Sequence, residues 1–133
     1  MSGYVAGLPA FLGYFAAGLG MLVVFAFIYQ AITPQKEMKL VREGNTAATV
    51  AFLGTLLGFS LPLASAAEHS VSFVDFLIWT AIGGVLQLLA FGLAALANPG
   101  LPKRITDGEV SAGIWSAGIA IIVGLINAAC MTY

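Results

Sequence analysis

Residues 31–48 read AITPQKEMKLVREGNTAA, and residues 95–112 read ALANPGLPKRITDGEVSA. Laid over one another, Ala31, Lys39, Gly44 and Ala48 fall on Ala95, Lys103, Gly108 and Ala112, and Glu43 falls on Asp107. The register extends outward without a gap, so that residues 12–66, shifted by 64 places, cover residues 76–130. Ala17, Gly20, Leu22, Ala26, Phe27, Gly54 and Ala64 then meet Ala81, Gly84, Leu86, Ala90, Phe91, Gly118 and Ala128. In each copy a short basic stretch separates two long apolar runs. The chain, residues 1–133, therefore reads as a single domain built from a duplicated helical hairpin.

The runs set the class. The chain is 60% hydrophobic and 8% charged, whereas soluble domains carry roughly 25% charged residues. Residues 12–32, 46–67, 76–97 and 110–132 contain no Asp, Glu, Lys or Arg. Each meets the length of about 20 residues that a helix needs to cross a bilayer. This predicts an all-α integral membrane protein with four transmembrane helices. No Lys or Arg precedes the first run, which is also longer than a signal-peptide core, so it is expected to stay in the mature protein. No basic patch points to nucleic acid. The single Cys130 has no intramolecular disulfide partner and reads as a small packing residue.

Charge gives the orientation. Lys36, Lys39 and Arg42 lie between the first and second runs, and Lys103 and Arg104 lie between the third and fourth. Basic residues in short loops stay in the cytoplasm, which predicts cytoplasmic basic loops and both termini outside. The central turn, residues 66–75 with Glu68, His69 and Asp75, is expected outside as well. Tyr14 and Trp79 fit the outer interface, Tyr29 and Trp115 the inner one. The two hairpins then enter the membrane in the same sense, as a parallel repeat rather than an inverted one.

Local signals mark the helix ends. Thr33-Pro34 and Asn98-Pro99-Gly100 stop the first and third helices. Asn45 or Thr46 suits the N-cap of the second, and Asp107 and Glu109 face the positive end of the fourth helix dipole. Pro62, inside the second helix, frees one backbone carbonyl that needs another donor in lipid, such as Ser60 or a neighbouring helix.

Small residues mark the packing surfaces. Ala112, Ser116, Ala120, Gly124 and Ala128 recur every four residues, and the second helix carries Gly54 and Gly58. Lipid tails are as apolar as Leu, so helices in a bilayer associate through close packing, which small residues permit. This ridge serves either the packing of one bundle or a homo-oligomer.

Groups capable of chemistry are few. Thr55, Ser60, Gln87 and Asn127 form a candidate polar path, because polar groups in lipid face the bundle interior. Glu43, Asp107 and Glu109 offer a candidate cytoplasmic mouth for cations, beside their capping role. Glu68, His69 and Asp75, one His and two carboxylates, make a weak metal signal. No nucleophile elbow, Cys/His metal pattern or phosphate-binding Gly loop occurs, so no catalytic residue, cofactor or metal is assigned and an enzyme is not expected.

Several stretches carry a likeness. They are Glu43-Gly44-Asn45-Thr46-Ala47-Ala48, Ala51-Phe52-x-Gly54-Thr55-Leu56-Leu57-Gly58, Leu61-Pro62-Leu63-x-Ser65-Ala66-Ala67, Tyr29-Gln30-Ala31-Ile32-Thr33-Pro34 and the ending Asn127-Ala128-Ala129-Cys130-Met131-Thr132. Together they resemble the YjfL-like bacterial inner-membrane proteins, the domain-of-unknown-function family numbered 350. The family's fourth helix usually opens with an Asn-Thr-Ala-Ala-Gly-like run. Here Glu109-Val110-Ser111-Ala112-Gly113 stands in its place, without the amide. The resemblance implies four spans, a duplicated hairpin and a place in envelope-stress neighbourhoods with phage-shock-type membrane-remodelling proteins, and it supplies no site residues. The expectation is a non-enzymatic, oligomeric scaffold or docking site, with Lys36, Lys39, Arg42, Lys103 and Arg104 meeting lipid or a peripheral cytoplasmic protein. The alternative is a small channel or transporter for cations or small polar solutes.

Overall fold

The computed structural model describes residues 2–131. They form six α-helices: α1 (Ser2–Ile32), α2 (Glu37–Arg42), α3 (Thr46–His69), α4 (Phe73–Ala97), α5 (Leu101–Thr106) and α6 (Val110–Ala129). No strand occurs among these residues. Four helices, α1, α3, α4 and α6, are long and apolar enough to cross a membrane. The fourth expected run extends to Thr132, which lies outside the described residues.

The segments read as basic loops each contain a short helix instead. Leu101 and Ile105 explain the second: both are fully buried and pack with Ala48, Ala51, Ala94 and Ala112, so α5 has an apolar face to place. The central turn is also shorter than the ten residues expected. Ser72 Oγ accepts from Asp75 N at 3.1 Å and Asp75 Oδ2 accepts from Val71 N at 3.2 Å, so α4 begins at Phe73. This reciprocal cap satisfies two donors at the start of the helix.

Asn45 does two things at the basic end. Its side-chain oxygen accepts from Ala48 N at 3.0 Å and caps α3. Its amide nitrogen donates to the carbonyls of Ile105 and Thr106, each at 3.1 Å. The two basic segments, far apart in sequence, are thereby joined into one end face.

The centre of the fold is the seam between α3 and α6, which run parallel. Gly54 meets Ala117, Gly58 meets Ala120 and Gly124, and Gly113 meets Ala47. These are backbone-to-backbone approaches. A Cβ at Gly58 would lie 2.5 Å from the Ala120 carbonyl oxygen, and one at Gly113 2.8 Å from the Ala47 Cα. Pro62 supplies the chemical reason for one of them. It cannot donate to the carbonyl four residues earlier, that of Gly58. A Cβ on Gly124 would overlap that oxygen, so the hydrogen in its place points at the freed carbonyl. A Cα–H···O contact of this kind is weakly favourable. Ser60, the donor expected from the sequence, instead donates to Leu57 O on its own helix.

The helix α4 lies antiparallel against both members of the seam. Its glycines Gly83 and Gly84 approach Pro62 and Phe59. By contrast, α1 is peripheral: 6% of its span is buried, against 33% for α4. It docks through Phe25, whose ring stacks on Phe59 at 4.2 Å, and through Tyr29, which lies edge-on to Phe91 at 6.0 Å. Tyr29 is thus a buried core residue and not the interfacial aromatic expected from its position near the end of a span.

Candidate functional site

The expected polar path is not continuous. Gln87 and Asn127 meet inside the bundle. Asn127 Nδ2 donates to Gly83 O at 3.0 Å and to Gln87 Oε1 at 3.3 Å, while Gln87 Nε2 donates to Ala120 O at 3.1 Å. Both amides are buried, and these bonds tie α4 to α6. Thr55 donates to Ala51 O on its own helix at 2.9 Å and lies toward the basic end. Ser60 lines a separate apolar groove with Tyr14, Gly18 and Leu22. A wider groove of about 510 Å³ between α1 and α4, lined by Val24, Phe25 and Leu88, is apolar as well.

An interhelical polar bond in a membrane contributes about 0.6 kcal/mol on average. A double-mutant cycle on Gln87→Leu and Asn127→Leu, read by thermal or denaturant unfolding in detergent, is expected to return a coupling of about that size. A coupling of zero would mean the two amides do not act on each other.

The small-residue ridge is used within the chain. Gly54, Gly58, Ala112, Ser116, Ala120 and Gly124 are buried, and Ala128 is half-buried with its carbonyl accepting from Ser65 Oγ at 2.9 Å. With α3 covering it, this ridge offers no free surface for a second copy.

The acidic mouth divides in two. Glu43 and Asp107 share a surface cleft of about 380 Å³ with Asn45, Thr106 and Gly108. Glu109 is engaged elsewhere: Arg104 Nε and Nη2 donate to its two oxygens at 2.8 and 3.0 Å. That pairing holds the Glu109 carboxyl below the usual carboxylate range. Arg104 Nη1 also donates to Asn98 Oδ1 at 2.6 Å. Arg104 therefore links the end of α4 to the start of α6 and is not a free docking charge. Lys36, Lys39, Arg42 and Lys103 are exposed. At the other end, His69 Nδ1 lies 2.9 Å from Ser65 O, and no group of three His, Cys, Asp or Glu residues occurs among the described residues.

A site that sequence reading missed lies just inside the basic end. Glu37, the first residue of α2, is fully buried although its neighbours Lys36 and Met38 are not. Thr33 Oγ1 lies 3.1 and 3.3 Å from its carboxylate oxygens, and 2.9 Å from Tyr29 O. Tyr29 and Gln35 lie beside the carboxylate, and the Tyr29 hydroxyl also faces Thr55 and Ser116. Burial raises the Glu37 carboxyl above the usual carboxylate range, against the opposing pull of its own backbone N–H and of Thr33. A charged residue within a basic stretch gives no signal that it will turn inward. One available hint was the Thr33-x-x-x-Glu37 spacing at the end of a span.

The arrangement defines a class: a multi-pass α-helical membrane protein with a dry glycine seam and one polar, basic end. Residues 3–131 match the family described as Domain of Unknown Function (DUF350). The chain is 44% identical over 126 residues to the UPF0719 inner membrane protein YjfL of Escherichia coli strain K12, covering 95% of this chain and 96% of the relative. It is 24% identical over 122 residues to the UPF0719 transmembrane protein YshE of Bacillus subtilis strain 168, covering 87% and 88%. No solved structure matches. The chain belongs to the DUF350 family and, with four spanning helices, is a multi-pass inner-membrane protein.

Proposed function

We propose that this protein is a non-enzymatic component of bacterial inner-membrane maintenance, a scaffold whose basic end faces the cytoplasm and docks anionic lipid or a peripheral protein. The observation that carries this reading is the joining of α2 and α5 through Asn45, which gathers exposed Lys36, Lys39, Arg42 and Lys103 at one end of the bundle. Each such charge near an anionic surface contributes about 1 kcal/mol. With this end inside, both chain termini lie in the periplasm. Reading the two hairpins as a duplication sets both basic segments on the same side, which supports a single docking face. Self-association, if it accompanies docking, uses the sparsely covered α1 face, because the small-residue ridge is occupied. The scattered, mutually bonded polar groups support a structural role over catalysis.

Replacing Lys36, Lys39, Arg42 and Lys103 by Gln, with Arg104 kept, is expected to weaken binding of the nanodisc-embedded protein to phosphatidylglycerol vesicles at least tenfold at low salt. Unchanged binding with the topology preserved would refute the docking role. Reporter tags at both chain ends supply the topology control.

A further inference from the structure

The buried carboxylate of Glu37 meets neutral groups: its own backbone N–H, Thr33, Tyr29 and Gln35. Glu37 is 0% exposed, and the ion pair found among the described residues is Arg104–Glu109. Thr33 has one hydroxyl hydrogen, for which the Tyr29 carbonyl at 2.9 Å competes with the carboxylate oxygens at 3.1 and 3.3 Å. Around the acid, the hydroxyl of Tyr29, which faces Glu37, Thr55 and Ser116, and both polar atoms of the Gln35 amide, which lies beside Glu37, are buried without a well-formed hydrogen bond. Tyr29 is 1% and Gln35 3% exposed. Poorly paired buried polar atoms are rare and costly, and here three stand beside an acid that has no cationic partner among the described residues.

We propose that Glu37, Gln35, Thr33 and Tyr29 form a binding site for one alkali-metal cation. The donors available are all oxygens: carboxylate, amide carbonyl and two hydroxyls. Oxygen donors suit hard cations, and the absence of Cys and His from the set excludes the soft metals. One carboxylate neutralises one positive charge. A divalent ion in the same place would leave a net charge buried among apolar helices, which is strongly unfavourable. A cleft of about 260 Å³ at the basic end, lined by Pro34, Gln35, Lys36, Lys39, Leu40, Glu43 and Thr106, reaches the set at Gln35. Because the ligands come from α1, α2 and the link between them, occupancy fastens the peripheral helix to the docking end.

The test uses the full chain in nanodiscs, with sodium or potassium chloride compared against choline chloride at equal ionic strength. Saturable stabilisation by an alkali cation is expected, together with about one radioactive sodium ion bound per chain. Tyr29→Phe removes an unpartnered hydroxyl and is expected to keep wild-type thermal stability in choline while weakening sodium binding about tenfold. Glu37→Gln is expected to abolish binding, and the exposed-site control Glu43→Gln to retain it. Equal stability in all three salts with no bound sodium would overturn the proposal, as would Tyr29→Phe and Glu37→Gln proteins that bind sodium like the wild type. Loss of vesicle docking with sodium binding intact would affect the docking reading alone.

Discussion

Replacing Gly124 by Ala is expected to abolish most of the folded protein, while Gly118→Ala, one turn and a half earlier on α6, leaves it intact. Both glycines are helical and in the membrane, and the chemical change is one methyl group. At Gly118 the new Cβ meets nothing within 4 Å. At Gly124 it overlaps the Gly58 carbonyl oxygen and lies 2.9 Å from that carbonyl carbon. Overpacking against side chains costs about 1–3 kcal/mol, because rotamers can yield. Here the obstacle is backbone, so the cost is expected at or above about 3 kcal/mol, the top of that range. The only relief is to part α3 from α6, which also removes the Cα–H that faces the carbonyl freed by Pro62. Thermal unfolding in detergent, followed by circular dichroism, checks the pair. Equal midpoints for the two variants would show that the seam is not close-packed.

The second large effect is at the other interface. Tyr29→Ala, alone or with Phe25→Ala, is expected to undock the half of α1 nearest the basic end. These are the two fully buried rings of α1, touching Phe59, Phe52 and Phe91, while the half-buried Tyr14 meets Phe73 and Phe76 nearer the start of the helix. In a soluble core, truncating a buried Phe to Ala costs about 3–5 kcal/mol. In lipid part of that figure is returned, because acyl chains fill the space and no water is met, so a loss of about 1–3 kcal/mol per ring is expected, mainly from packing. Hydrogen exchange should then rise along α1 from Met21 to Ile32 while the α3–α6 seam keeps its protection. Unchanged exchange would mean that other contacts hold α1.

How much of this was legible in the chain differs by feature. The four spans were readable because length and apolarity are properties of the segment itself, and α1, α3, α4 and α6 occur where the charge-free runs lie. The short helices α2 and α5 were not, since six residues carry too little periodicity to stand out from a loop. Gly124 and Gly58 were readable as packing residues, but their mutual contact and its link to Pro62 required the register of two helices. Of the residues grouped as a polar path, Gln87 and Asn127 meet each other, whereas Ser60 bonds its own helix. Nothing in the sequence distinguishes a polar side chain that faces a neighbouring helix from one that bonds its own backbone.

The sequence by itself determined that the protein lives in a bilayer, where its four spans lie, and that its positive charge belongs to the two short segments between them. Those features follow from hydrophobic length, proline and capping chemistry, and charge in short segments, all of which act locally. The tertiary structure decided which small residues touch, that α1 stays at the edge, and that Glu37 and Tyr29 turn inward while their neighbours meet solvent or lipid. The physical reason is that burial is settled by the faces of several helices at once. A side chain's partners come from residues distant in the chain, and no single segment encodes them.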